Sequence, residues 1–374
     1  MNNQSMMGGF DASWVAGAIQ EYQDTKNFLQ SLGRFQALRE KARKMLSPTP
    51  RKLLYQEHST SVYKYVSPQN LKANRPVLIV PSLINKPCLM DLLEGESFIG
   101  GLVERGFQVY MLEWGERIEG QKNITLERYL NGYLKRACRR AAMDAGTDGV
   151  HLAGYCLGGT VCTIFAGLDR GELVKSLTTM VTPLNFHDRG LLSWWAREEH
   201  FDVDKLVDTW GNIPADFFSH SFPWLVPTAQ LKKMRTLKAK QEDEEFLLRF
   251  MALDIWITEN IDFPGEVYRE IIKNGYQKNL LAIEGRWPFE GGDSLLSEIR
   301  IPVLNMVSEF DHVSPPESCA LVENLLVNAE CRTRVHKTGH LGFALGKDKK
   351  NQPTGIFLDE ISQWICEQEY KEKK

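Results

Sequence analysis

Nowhere in this chain does an apolar run approach the roughly 18 residues that suggest a membrane-spanning helix. Met1 to Phe10 also lack the basic stretch and apolar block of a secretory signal. The expectation is a cytoplasmic protein with no transmembrane segment. Basic excess is missing too: 45 Lys and Arg stand against 48 Asp and Glu, a net charge of −3. That balance argues against nucleic acid as a partner, because such surfaces need a positive footprint. The seven cysteines (Cys88, Cys138, Cys156, Cys162, Cys319, Cys331, Cys366) contain no C-x-x-C pair. An odd set without that spacing reads as reduced thiols, not a disulfide frame or a zinc site, and no metal is expected. Internal repeats and low-complexity tracts are absent.

What remains is 374 residues, 43% of them hydrophobic, enough for one large core with an inserted cap. Residues 1–50 read as a helical N-terminal extension, with helix-like spacing from Asp11 to Lys44 that stops at Ser47-Pro48-Thr49-Pro50. Short β-branched runs then alternate with helical patterns. Strands are expected at "SVYKYV" (61–66), "PVLIVPS" (76–82), "FQVYMLEWG" (107–115), "GVHLAG" (149–154), "LTTMVTP" (177–183), "IPVLNMVSEFD" (301–311) and "RTRVHK" (332–337). Helices are expected near 98–105, 126–145, 159–168, 316–326 and 356–366. This strand–helix rhythm implies an α/β fold with a mostly parallel sheet, whose core covers 51–184 and 297–374. From 185 to 296 tryptophans, prolines and charged helical patches replace the β-branched runs, as in a cap.

The chemistry concentrates in "HLAGYCLGG" (151–159), an apolar strand ending in a glycine-bracketed turn with Cys156 at its apex. Gly154, Cys156 and Gly158 have the spacing of the G-x-S-x-G nucleophile elbow, with serine replaced by cysteine. The glycines let backbone approach on both flanks, and the following helix aims its positive end at the thiol, favouring thiolate. Folds built on such an elbow place the acid after a late strand and the histidine in the loop after the next. Asp311 follows "VLNMVSEF" and His340 sits in "KTGHLG". His312 is the rival, but it adjoins the acid itself. In these roles His340 takes protons from the thiol or an attacking hydroxyl, and Asp311 orients the imidazole or assists it. The oxyanion needs two backbone donors, one from Leu157 and a second from the loop "PSLIN", where Ile84 or Leu83 is best placed. A thiol nucleophile exchanges one thioester for another with little loss of free energy, which suits a transferase acting on acyl-coenzyme A.

With "INKP" (84–87), "GYCLGGT" (154–160), "VDTWGNIP" (207–214), "PGEVYRE" (264–270), "FDHVSPP" (310–316) and "GHLG" (339–342), the chain from about Thr49 onward resembles the polyhydroxyalkanoate synthases. The resemblance implies an α/β hydrolase core with an inserted cap. It implies polymerisation of (R)-3-hydroxyacyl-coenzyme A, short-chain substrates such as 3-hydroxybutyryl-coenzyme A included, into polyester. Coenzyme A leaves as product and no cofactor is required. It carries the nucleophile to Cys156, the aspartate to Asp311, the histidine to His340, and a structural tryptophan to Trp256. The short extension resembles the two-component synthases, whose catalytic subunit works with a separate accessory subunit of the PhaE or PhaR kind. A homodimer or hetero-oligomer attached to polyester granules is therefore expected. Glu113 and Asn185 depart from the family, which usually has aspartate at both places. Alternatives on the same fold are a thioesterase or depolymerase, and a non-catalytic granule scaffold. "LKKMRTLKAK" (231–240) could meet coenzyme A phosphates, although a solvated face balanced by "EDEE" is the simpler explanation. The aromatics Trp194, Trp195, Trp210, Phe217, Phe218, Phe222 and Trp224 either pack the cap or line a path for the acyl chain.

Overall fold

The computed structural model describes residues 33–66, 70–116, 121–345 and 355–371. Its centre is an eight-stranded sheet of β1 (Arg51–Glu57), β2 (Thr60–Tyr65), β3 (Val77–Val80), β4 (Val109–Glu113), β5 (Val150–Tyr155), β6 (Val174–Met180), β7 (Val303–Ser308) and β8 (Cys331–His336). The spatial order is β1-β2-β4-β3-β5-β6-β7-β8. β2 runs antiparallel to both its neighbours, and every other adjacent pair is parallel. The inner strands are buried almost throughout because helices cover both faces. β3, β5 and β7 are buried along their whole lengths.

An edge strand and a late helix differ from expectation. β1 is a half-exposed edge strand with little alternation in "RKLLYQE", and it forms because the hairpin through His58, with φ of 52°, folds it onto β2. The helix expected over 316–326 is two short turns, Pro316–Cys319 and Val322–Leu325. The carbonyls of Ser318 and Cys319 are taken by outside donors, Leu184 N (2.9 Å), Asn185 N (3.1 Å) and the Asn305 amide (2.9 Å), and so cannot carry a helix onward.

Five helices matter for the site: α1 (Leu157–Asp169), α2 (Ala215–Ser221), α3 (Glu244–Thr258), α4 (Gly265–Glu270) and α5 (Gly355–Lys371). α1 is buried on almost every side, as a helix at the centre of an α/β sandwich must be. The segment between β6 and β7 is largely helical and holds α2, α3 and α4. Its last part returns to the sheet, where Ser294 Oγ donates to Ile164 O of α1 (2.6 Å). A helix over 33–45 lies against α3. Arg39 pairs with Asp254 (2.5 Å) and Arg43 with Glu259 (2.5 Å). The expected helical spacing from Asp11 to residue 32 lies outside the described residues.

α5 runs past Cys366, where the expected helix ended, because Glu369 is anchored beneath the sheet. Its carboxylate faces His151 Nε2 (3.2 Å), Asn74 N (3.0 Å) and Arg75 (3.3 Å), and His151 Nδ1 meets Ser176 Oγ at 2.8 Å. Burial would raise the Glu369 pKa, but the hydrogen bonds from His151 and Asn74 and the positive charges of His151 and Arg75 pull it down to about 2. Glu369→Gln is therefore expected to lower stability at pH 7 by about 2 to 3 kcal/mol, the contribution of a carboxyl whose pKa folding lowers to about 2. Because folding lowers this pKa, the contribution is complete above the ordinary carboxyl value of 4.5 and fades as pH falls towards 2. Urea melts of both proteins should show the gap narrowing over that window; equal stability at pH 7 counts against the account.

Candidate active site

The elbow is built by close backbone approach. A Cβ on Gly154 would sit 2.4 Å from Gly159 Cα, one on Gly158 would sit 2.3 Å from Val80 O, and one on Gly159 would sit 1.9 Å from Thr182 Oγ1. None of these glycines is needed for a left-handed φ. They are needed because strand, turn and helix pass too closely for a side chain. Cys156 itself carries the strain, with φ 55° and ψ −129°. The surroundings hold it there: Cys156 N donates to Met180 O (2.9 Å), and Cys156 O accepts from Gly159 N (2.9 Å). The residue stands at the carboxyl end of β5 and the amino end of α1, 8% exposed.

Asp311 lies in the turn after β7, with both carboxylate oxygens engaged. Oδ1 accepts from Val313 N (2.8 Å) and Ser314 N (2.9 Å), and Oδ2 faces His340 Nδ1 at 2.7 Å. A carboxylate only accepts, so Nδ1 is the donor and Nε2 is left for the thiol. His340 and Cys156 line the same cavity wall, and the two influence each other electrostatically. Tyr155 OH donates to His340 O (2.7 Å), and its ring lies edge-on to the imidazole at 5.5 Å. Burial opposes charging of His340, but the charges of Cys156 and Asp311 and the hydrogen bond to Asp311 outweigh it and push the pKa up to about 10. Burial, with the Cys156 and Asp311 charges, holds the Tyr155 phenol protonated far above its ordinary range, so it stays a donor. Asp311 and His340 are thus paired beside the cavity that Cys156 lines, whereas the rival His312 is exposed.

These groups open into a cavity of about 250 Å³, lined by Cys156, Leu157, Ile84, His340, Tyr276 and Phe218 among others. Both backbone-donor residues named from the sequence, Leu157 and Ile84, are in its wall; Leu83 is buried and not among its lining residues. An apolar side chamber of about 100 Å³ adjoins it, sharing Ile84, Leu157, Phe218 and Tyr276. Sequence reasoning missed several wall residues. Ser82 contributes a buried hydroxyl with no hydrogen-bond partner among the described residues, and Asn85, Ser219 and Asn260 form a polar strip. Only Ser82 and Asn85 carried a signal, their place in the loop that follows β3. Of the cap aromatics, Phe218 packs centrally against Phe217, Phe222, Phe263 and Tyr268, while Trp194, Trp210 and Trp224 are exposed. In the basic stretch Lys233 is tied to Asp254 at 2.9 Å. Glu113 pairs with Arg51, and Asn185 accepts from Asn279 (2.8 Å), so both departures have structural partners. No cluster of three or more metal-ligating side chains occurs among the described residues, and none of their helices is long and apolar enough to cross a membrane.

A parallel sheet with a nucleophile elbow, followed by acid and histidine on the loops after two later strands, defines an α/β hydrolase fold. Residues 75–347 match the α/β hydrolase fold family. The malate-bound thermophilic esterase of Thermogutta terrifontis superposes with a TM-score of 0.50 at 17% identity, covering 86% of this chain and 99% of that one, a likeness of fold alone. Among curated proteins, the poly(3-hydroxyalkanoate) polymerase subunit PhaC of Synechocystis is 33% identical over 92% of this chain and 91% of its own length. That of Haloferax mediterranei is 30% identical over 85% of this chain, which spans 64% of the relative's length. The chain belongs to the PhaC family of poly(3-hydroxyalkanoate) polymerases.

Proposed function

We propose that this chain polymerises (R)-3-hydroxyacyl-coenzyme A through a thioester on Cys156, with His340 as proton carrier and Asp311 as its orienting carboxylate. Family membership supports the reaction, and the observation that carries the residue roles is the Asp311–His340 pair, 2.7 Å apart, beside the cavity that His340 and the strained Cys156 both line. His340 Nε2 takes the thiol proton and the thiolate attacks the thioester carbonyl. The new C–S bond places a negative charge on oxygen, and in this proposal the N–H groups of Leu157 and Ile84, both in the cavity wall, receive it. Collapse breaks the bond to coenzyme A, whose sulfur leaves with the proton from His340. The hydroxyl of a second hydroxyacyl group then attacks the Cys156 thioester, giving its proton to His340; a C–O bond forms, the C–S bond to Cys156 breaks, and His340 returns the proton to the departing thiolate.

Two features favour a hydroxyl over water as acceptor. The side chamber is lined by Phe218, Phe222, Phe263 and other apolar groups, and the thioester keeps the acyl group activated. The small chambers fit short side chains. An accessory subunit, oligomerisation and attachment to polyester granules in the cytoplasm belong to the same proposal. The test is incubation with 3-hydroxybutyryl-coenzyme A, with and without a candidate accessory subunit. Insoluble polyester formed in step with coenzyme A is the expected product, and free hydroxy acid as sole product would place the chain among the hydrolases.

A further inference from the structure

Three consecutive residues of the loop after β3 are each held by the cap. Ile84 O accepts from Ile261 N (3.0 Å), the Asn85 amide donates to Asn260 Oδ1, and Lys86 O accepts from Trp256 Nε1 (3.0 Å). All three cap groups come from the end of α3 and the turn beyond it. Asn260 is itself fixed, its Nδ2 donating to Ser219 Oγ of α2 (2.9 Å) and to Ile257 O (3.2 Å). Lys86 Nζ adds a contact with Glu259 at 3.6 Å, the carboxylate that Arg43 also grips. Ile84 is 7% exposed and lines the cavity beside Cys156 and Leu157. No acceptor is paired with its N–H among the described residues, so this donor remains available to a ligand.

We infer that Trp256 and Asn260 are positioning residues which hold the Ile84 N–H at the oxyanion site, so that cap closure and assembly of the oxyanion hole are a single event. The inference rests on the polymerase reading and deepens it. An irregular loop has no ladder of its own to fix its peptide planes; orientation must come from whatever bonds its carbonyls and side chains. Here the cap supplies such a bond at three successive positions. The Ile84 N–H belongs to the peptide shared with Leu83 and is held through the Ile84 Cα, so a displacement of α3 that broke these bonds would release the loop on its carboxyl side while leaving Cys156, held by β6 and α1, in place. The nucleophile would remain and the charge it creates on oxygen would lose one of two donors. Substrate that brings the cap down thereby completes the site, and an open cap protects the thioester on Cys156 from attack by water.

The test separates oxyanion stabilisation from general damage. Trp256→Phe keeps the ring and removes the indole N–H, and Asn260→Ala removes the amide. Two rates are read for each variant and for the pair combined: coenzyme A release from 3-hydroxybutyryl-coenzyme A, and alkylation of Cys156 by iodoacetamide. The second is displacement at saturated carbon and makes no oxyanion. The double variant should lose kcat by about 10²-fold, the order seen when one oxyanion donor is lost. KM should stay within about threefold and alkylation within about twofold of wild type, since neither draws on the oxyanion hole. Unchanged kcat overturns the inference, and so does a parallel fall of both rates, which would mean simple loss of structure. Wild-type protein that releases no coenzyme A would instead sink the polymerase reading. In that case hydrolysis of p-nitrophenyl butyrate, which needs the same two donors, decides between wild type and variant.

Discussion

Cys156→Ala is expected to stop coenzyme A release altogether, a loss of at least about 10⁴-fold for removal of a covalent nucleophile. No other cysteine lines the cavity among the described residues, and the fully buried Cys319 is pushed well above the ordinary thiol range by burial and by the nearby charges of Asp311 and Cys156. The fold should survive, because the elbow's shape is fixed by backbone contacts of Gly154, Gly158 and Gly159. The same substitution removes the first of the charges that raise the pKa of His340, so the imidazole should titrate lower than in wild type, measurable by NMR of labelled histidine. Cys156→Ser is the informative companion. An oxygen ester is a thermodynamic sink relative to a thioester, so the serine protein should release slowly about one equivalent of coenzyme A and then stall. Sustained turnover by either variant removes Cys156 from the mechanism.

Asp311→Asn should cost about 10³ to 10⁴ in kcat with little change in fold, the size found when an orienting carboxylate beside a catalytic histidine becomes an amide. The amide can offer N–H where the imidazole now donates, turning the ring to the wrong tautomer and withdrawing Nε2 as acceptor for the thiol proton. The loop itself keeps an acceptor for Val313 N and Ser314 N, so the loss is one of proton handling. The sign of the pH effect follows from the raised pKa. His340 keeps its proton to higher pH than an ordinary histidine because Cys156 and Asp311 outweigh burial. Without the carboxylate the titration moves down, and imidazolium is present over a narrower range below it. The stability gained from this pair is complete below the ordinary value of 6.5 and is lost as pH rises through the folded value. In Asp311→Asn that loss should begin at lower pH, which thermal melts across the alkaline range can check. An unchanged titration together with wild-type kcat would contradict the assignment.

Much of this site is legible in the primary sequence because its chemistry obeys local rules. A glycine-bracketed apex between an apolar strand and a helix has few structural solutions, and β5, Cys156 and α1 adopt the expected one. Asp311 and His340 follow β7 and β8 because chain order on this fold dictates where late loops emerge. The polar strip shows the opposite case. Asn85 and Asn260 are 175 residues apart, and no periodicity marks either one. The same holds for Glu369 and His151, separated by 218 residues, and for the short turns at 316–319 and 322–325, whose carbonyls are claimed by donors from elsewhere.

The sequence by itself determined the strand order of chemistry along the chain: a thiol at a tight turn, then a carboxylate, then an imidazole, on an α/β framework. Only the tertiary structure decided how the cap meets the loop after β3, which wall residues surround the thiol, and which polar groups were left without partners. The physical reason is that backbone conformation answers to neighbours a few residues away, whereas hydrogen bonds between a loop and a cap depend on where two separately folded segments come to rest.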